Sequence, residues 1–104
     1  MNKTIRLAQY LELSKKAQSF VHKRLKESRD FHSGFEYLSI TVQWLFDFLD
    51  EEDQLFKIER AYRPKRRGVR LVWIINDNPA WMSEHLLGVL WIMVKDIIEE
   101  KYAR

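Results

Sequence analysis

The sequence predicts an α+β domain of order α-β-β-β-α: a three-stranded antiparallel meander with two helices packed on one of its faces. Three observations lead there. Apolar residues recur at helical spacing near both ends of the chain, they alternate with polar ones through the middle, and a Pro-to-Gly segment separates two of the alternating runs.

Residues 4 to 27 form the first predicted helix, because Leu7, Tyr10, Leu11, Ala17, Phe20, Val21 and Leu25 follow one another at three- and four-residue steps, with Leu13 widening the stripe. Asn2 or Thr4 would cap it. Its opposite face carries Glu12, Lys15, Lys16, Ser19, His22, Lys23 and Lys26, so it is markedly positive. From Glu36 to Leu49 two periodicities compete. Ser33 and Glu36 have the spacing of a capping box, which favours a helix. Leu38, Ile40, Val42, Trp44, Phe46 and Phe48 alternate with Ser39, Thr41, Gln43 and Asp47, which predicts a strand over 36–48 with Leu45 as the one exception. The β-branched Ile40, Thr41 and Val42 favour that strand.

After the acidic turn Asp50–Asp53, a second strand is expected over Gln54–Arg63 and a third over Val69–Ile75. Pro64 to Gly68 has the length and chemistry of the hairpin between them. Val69, Leu71, Trp73 and Ile75 fall on one side of the third strand, and Arg70, Val72 and Ile74 on the other. Asn78 as cap and Pro79 at the first helical position then start a last helix running to about residue 102. Its apolar side is wider than one sheet contact requires, which implies deep burial or a partner.

The size and composition fit one domain spanning residues 1–104: 104 residues, 46% hydrophobic and 13% aromatic, suffice for a core. The chain has no cysteine, which excludes disulfides, thiolate chemistry and cysteine-based zinc sites and fits a reducing compartment, so a cytoplasmic location is expected. The longest apolar run, Leu86–Val94, is far short of the roughly 20 residues of a membrane span. The N-terminus lacks the apolar stretch and cleavage site of a secretory signal.

Charge is distributed in blocks. Residues 1–33 hold eight Lys and Arg against three Asp and Glu, residues 34–62 two against seven, residues 63–70 five against none, and residues 71–104 three against five. The sharpest feature is RPKRRGVR, which sets Arg63, Lys65, Arg66, Arg67 and Arg70 at or beside the hairpin tip. Clustered guanidinium groups match phosphate oxygens, and a projecting hairpin can enter a groove. Together with Lys15, Lys16, Lys23 and Lys26 these residues form the expected nucleic-acid-binding set. Joined into one positive stripe they would support that function; as separate patches they would favour a protein partner.

No catalytic or cofactor motif is present: there is no nucleophile elbow, no glycine-rich phosphate loop and no HExxH, so no enzyme activity, cofactor, metal or small-molecule substrate is expected. His22, His32 and His85 stand alone, and Asp50–Asp53 lacks the alternating ligands and glycine of a calcium loop. The order of elements is shared with the double-stranded-RNA-binding fold as a topological analogy; the lysine cluster which that family places at the start of its second helix is replaced here by NDNPAWMSEH. The sequence thus leaves two binding functions open. One is contact with nucleic-acid phosphates through the hairpin and the first helix. The other is protein interaction or self-association through the outer sheet face, with Val72 and Ile74, or through the large aromatics Trp81 and Trp91.

Overall fold

The computed structural model describes residues 3–27 and 35–104. Helices lead, a β-meander follows and a long helix closes the chain, so the α+β class and the three-stranded antiparallel sheet are both present. The residues that build several of the elements differ from those expected.

The first helical segment is broken in two. α1 spans Leu7–Tyr10 and α2 spans Lys15–Leu25. The break falls where Ser14 Oγ accepts the Ala17 amide at 3.2 Å and caps α2, offering the backbone a local partner that ends one helix and starts the next. Thr4 is not a cap: it forms a bridge with Thr41, and the Ile5 amide donates to the Ile40 carbonyl at 3.2 Å. Asn2 and Ser33, the other expected caps, lie outside the described residues.

The expected strand over 36–48 is helical. A 3-10 turn occupies Glu36–Ser39, and α3 occupies Val42–Glu51. Thr41 Oγ1 accepts the Trp44 amide at 3.1 Å and caps α3, and Gln43 bonds Asp47 one turn on at 2.8 Å along the outer face. The exception to the alternation identifies the true period. Leu45 is fully buried at 0% exposure and packs with Phe48 and Leu49 at i, i+3 and i+4, whereas Phe46, which a strand would turn inward, is 36% exposed. A segment apolar at nearly every position satisfies both periods, and tertiary packing decides between them.

The sheet lies further along the chain. β1 (Ile58–Pro64) pairs antiparallel with β2 (Val69–Ile75), in register from Ile58 opposite Ile75 to Pro64 opposite Val69. β2 has the bounds expected from sequence, and β1 starts four residues later than expected. The third strand is β3, only Met82–Ser83, which pairs with Ile74 and Trp73. Asn78 therefore starts no helix. Its side chain accepts the Ala80 amide at 3.0 Å within a turn that begins with Asn76 and Asp77 at positive φ, and the returning chain is claimed by the open edge of β2. α4 begins only at Leu86, with His85 at its cap, and runs to Lys101.

α4 organises the core. It lies against β2 and β3 on one side and packs with α3 on another, so its wide apolar surface is closed by the chain itself. Val89, Leu90, Trp91, Met93, Val94 and Ile98 are all buried in a core shared with α2, α3 and the Trp73/Ile75 side of the sheet. Gly88 allows the close approach to β3, since a Cβ there would stand 2.6 Å from Ser83 Oγ.

The C-terminal half of α4 carries a polar clasp. Glu52, just past α3, accepts hydrogen bonds from Lys101 Nζ and from Tyr102 Oη, both at 2.6 Å, with the Arg24 guanidinium 3.7 Å away. Arg24 also bonds Glu51, and its guanidinium lies over the rings of Phe20 and Phe48 at 5.7 and 5.4 Å. Phe20 stacks on Tyr102 at 4.0 Å between centroids. The acidic stretch thus supplies counter-charge to Arg24 and Lys101, and these cations offset the unfavourable placement of carboxylates at the C-terminus of α3. Among the described residues, no helix is long and apolar enough to cross a membrane.

Candidate nucleic-acid interface

The hairpin places the arginine cluster in the open. Pro64 pairs with Val69, so the loop is the four residues Lys65–Gly68, closed by a Lys65 amide to Gly68 carbonyl bond of 3.0 Å. Gly68 has φ +95°, a conformation that costs a side-chain-bearing residue energy, and so this one glycine sets the return of the chain. Lys65, Arg66, Arg67 and Arg70 are exposed and Arg63 is half-buried. Arg70 reaches Glu84 only at 4.0 Å, and Arg63 bonds the Tyr62 carbonyl at 3.3 Å. Among the described residues, no carboxylate comes within ion-pair distance of Lys65, Arg66 or Arg67. Their charges are left to solvent and to any arriving anion.

The register shows which face each charge shares. Arg63 and Arg70 are paired across one face, and on the other the pairs run from Arg60 opposite Trp73, through Tyr62 opposite Leu71, to Pro64 opposite Val69. This second face is the one that packs on the helices at Ile75 and Trp73. Beyond Trp73 the helical layer stops, leaving Tyr62 70% exposed, with Leu71 and Val69 also open to solvent. Arg60 marks the boundary, its guanidinium 4.5 Å from the centre of the Trp73 ring. Sequence alternation assigns Tyr62, Leu71 and Val69 to the core side, which is correct for the face but not for the burial. Their proximity to the tip was the available signal, because a helix cannot cover a hairpin to its end.

The lysines of α2 are not brought to the hairpin. Lys15, Lys16, Lys23 and Lys26 are exposed, but the anchors around α2 join the far half of α4 and the end of α3. Ser14 donates to Glu99 at 2.9 Å, Phe20 stacks on Tyr102, and Arg24 bonds Glu51. β3, and with it the hairpin, meets the opposite end of α4 at Gly88. The two basic sets therefore sit at opposite ends of that helix.

The expected protein-contact residues are mostly interior. Val72 and Ile74 are 1% and 2% exposed, covered by the chain's own atoms, and Trp91 is buried with an indole N–H that finds no partner among the described residues. These three correct the expectation of a free outer sheet face and an exposed helix aromatic: once the helices and sheet assemble, the chain itself closes those surfaces. Trp81 is half-buried, and its indole N–H donates to Asp96 at 2.7 Å. Trp81 and Asp96 line an open groove of about 810 Å³ along the far half of α4, in which Asp96 is engaged by Trp81 and Glu99 by Ser14. Of the three histidines, His22 bonds Glu36 at 2.9 Å, His85 precedes α4, and His32 lies outside the described residues. Among the described residues no group of three metal-ligating side chains converges.

No family model matches the chain, and neither the curated proteins nor the solved structures return a significant match.

Proposed function

We propose that this chain is a non-catalytic binding module that contacts nucleic-acid phosphates through its basic β-hairpin, without the lysines of α2. The observation that carries this is the set Lys65, Arg66 and Arg67, exposed at a hydrogen-bonded turn and without counter-charge among the described residues. Guanidinium groups held on a rigid projection bind phosphate with little entropy lost in ordering the support, and they steer a polyanion from a distance. The α2 lysines have no part in it, because they stand at the other end of α4. Separate patches weaken the case for one joint stripe, but burial of Val72, Ile74 and Trp91 removes most of the surface expected for a protein partner. The hairpin remains as a defined set of exposed groups.

The test is a titration of wild type and the Lys65→Ser/Arg66→Ser/Arg67→Ser variant with duplex DNA at two salt concentrations. Every phosphate that a removed side chain no longer neutralises should flatten the log-log salt dependence by about 0.9 units on a duplex, so the variant should lose roughly two to three units. Absence of wild-type binding at low salt, or equal binding and slope in the variant, refutes the proposal. One observation favours a protein partner instead: Leu55 is 95% exposed next to the stacked rings of Phe46 and Phe56. Sedimentation of wild type and Leu55→Ser at micromolar concentration tests self-association there, and a clean monomer in both removes it.

A further inference from the structure

The hairpin carries an aromatic strip as well as charge, and the two are arranged on one short arm. From the Arg60/Trp73 pair outwards, one face presents Tyr62 beside Leu71 and then Pro64 beside Val69, ending at the charged turn. Tyr62 and Val69 are 70% and 59% exposed. The strip is flanked by Arg60 at its base and by Lys65, Arg66 and Arg67 at its tip, and residues 60–70 contain no acidic side chain. An exposed tyrosine among apolar neighbours is a poor partner for water, and the surrounding positive charge selects an anion. The occupant must combine a flat apolar face with closely spaced negative groups.

We infer that the Tyr62 face of the hairpin is a stacking platform for unpaired bases, so that the module binds single-stranded nucleic acid in preference to duplex. This rests on the phosphate-binding function proposed for the tip and adds to it the state of the strand. A duplex offers the arm its phosphates but keeps its base faces stacked on one another. A single strand can lay a base on Tyr62 while the adjoining phosphates meet Arg60 and the turn. Arg60 is suited to that place because its guanidinium, 4.5 Å from the centre of the Trp73 ring, sits at the base of the strip. An anionic membrane is the weaker fit: Val69, Leu71 and Tyr62 lie along one face, whereas the leading end is Lys65–Gly68, which would have to enter the bilayer first.

The experiment measures binding of a labelled, unstructured single strand and of the duplex of the same sequence, at two salt concentrations, to wild type, Tyr62→Ser, Tyr62→Phe and the triple Ser variant of the turn. Tyr62 is mostly exposed, so its variants keep the fold, which thermal midpoints verify. Wild type should prefer the single strand. Tyr62→Ser should weaken single-strand binding at least about fivefold, the lower end of what one base–aromatic stack supplies, with the salt slope and duplex binding unchanged. Tyr62→Phe should bind as wild type, since the ring and not the hydroxyl is used. The triple variant should show a flatter salt dependence on both ligands. If Tyr62→Ser binds the single strand as wild type does, or wild type prefers duplex, the stacking platform falls while the phosphate contact stands on the triple variant. Tyr62-dependent binding to phosphatidylserine vesicles with no strand preference would also overturn it, in favour of a lipid surface. No binding to either strand form overturns both proposals.

Discussion

Replacing Glu52 by Gln removes one negative charge from the clasp that joins α2, α3 and α4 while leaving its shape. The side chain is 5% exposed and accepts two 2.6 Å bonds, from Lys101 and Tyr102. A charge-assisted bond contributes about 1.5–3 kcal/mol net when buried. Lys101 is 53% exposed at its side chain, so its share is nearer the surface value, below about 1 kcal/mol. The amide oxygen of Gln can still accept from the Tyr102 hydroxyl as a neutral bond, retaining about half of that contribution. The expected loss is about 2 kcal/mol, or roughly 8 °C in the thermal midpoint for a chain of this length. Its pH dependence follows from the folded-state ionisation. Burial pushes the Glu52 carboxyl up, but the hydrogen bonds from Lys101 and Tyr102 and the charges of Lys101 and Arg24 outweigh burial and hold it below its ordinary value of 4.5. A depressed carboxyl stabilises the fold above the unfolded value, and that stabilisation is lost as pH falls through the lower folded value. Urea unfolding followed by tryptophan fluorescence should therefore show the deficit in full at pH 7 and a smaller one as the pH falls below 4.5. A Glu52→Gln protein as stable as wild type at pH 7, or a deficit that does not shrink as the pH is lowered below 4.5, would refute this account of the clasp.

The helical period of α3 is tested by Leu45→Ala, expected to cost about 2–5 kcal/mol as a fully buried truncation, against Phe46→Ala, expected to cost less because that ring is 36% exposed; a strand would reverse the order in the same urea titration. Thr41→Ala should cost about 1 kcal/mol by removing the cap of α3, read as a lower denaturation midpoint, with Thr41→Ser restoring most of it. Gly68→Ala should lower the thermal midpoint by an amount equivalent to about 1 kcal/mol through strain at positive φ alone, because nothing lies within 4 Å of the added methyl group. The triple Ser variant of the turn should leave the midpoint within about 2 °C of wild type, as its side chains are exposed and unpaired among the described residues.

The amino-acid sequence alone determined the elements whose signals are local. β2 has the expected bounds because Val69–Ile75 is a β-branched and aromatic run closed by Asn and Asp, and the hairpin follows from Pro64 and Gly68 at a spacing that few structures other than a tight return can use. The basic tip was legible for the same reason: charge on a short loop has nowhere to go but solvent. Tertiary structure decided what local pattern left degenerate. Residues 42–51 satisfy both helical and strand periods, and burial of Leu45, Phe48 and Leu49 in the core that α3 shares with α4 selects the helix. The third strand is two residues long, too short for any period to register, and exists because β2 offers an unpaired edge beside the turn at Asn78. Exposure of Tyr62 on the same face as buried Ile75 depends on where the helical layer stops covering that face, and burial of Val72, Ile74 and Trp91 depends on how the assembled chain closes over them. That is a relation between segments distant in sequence, which the order of residues along one strand cannot encode.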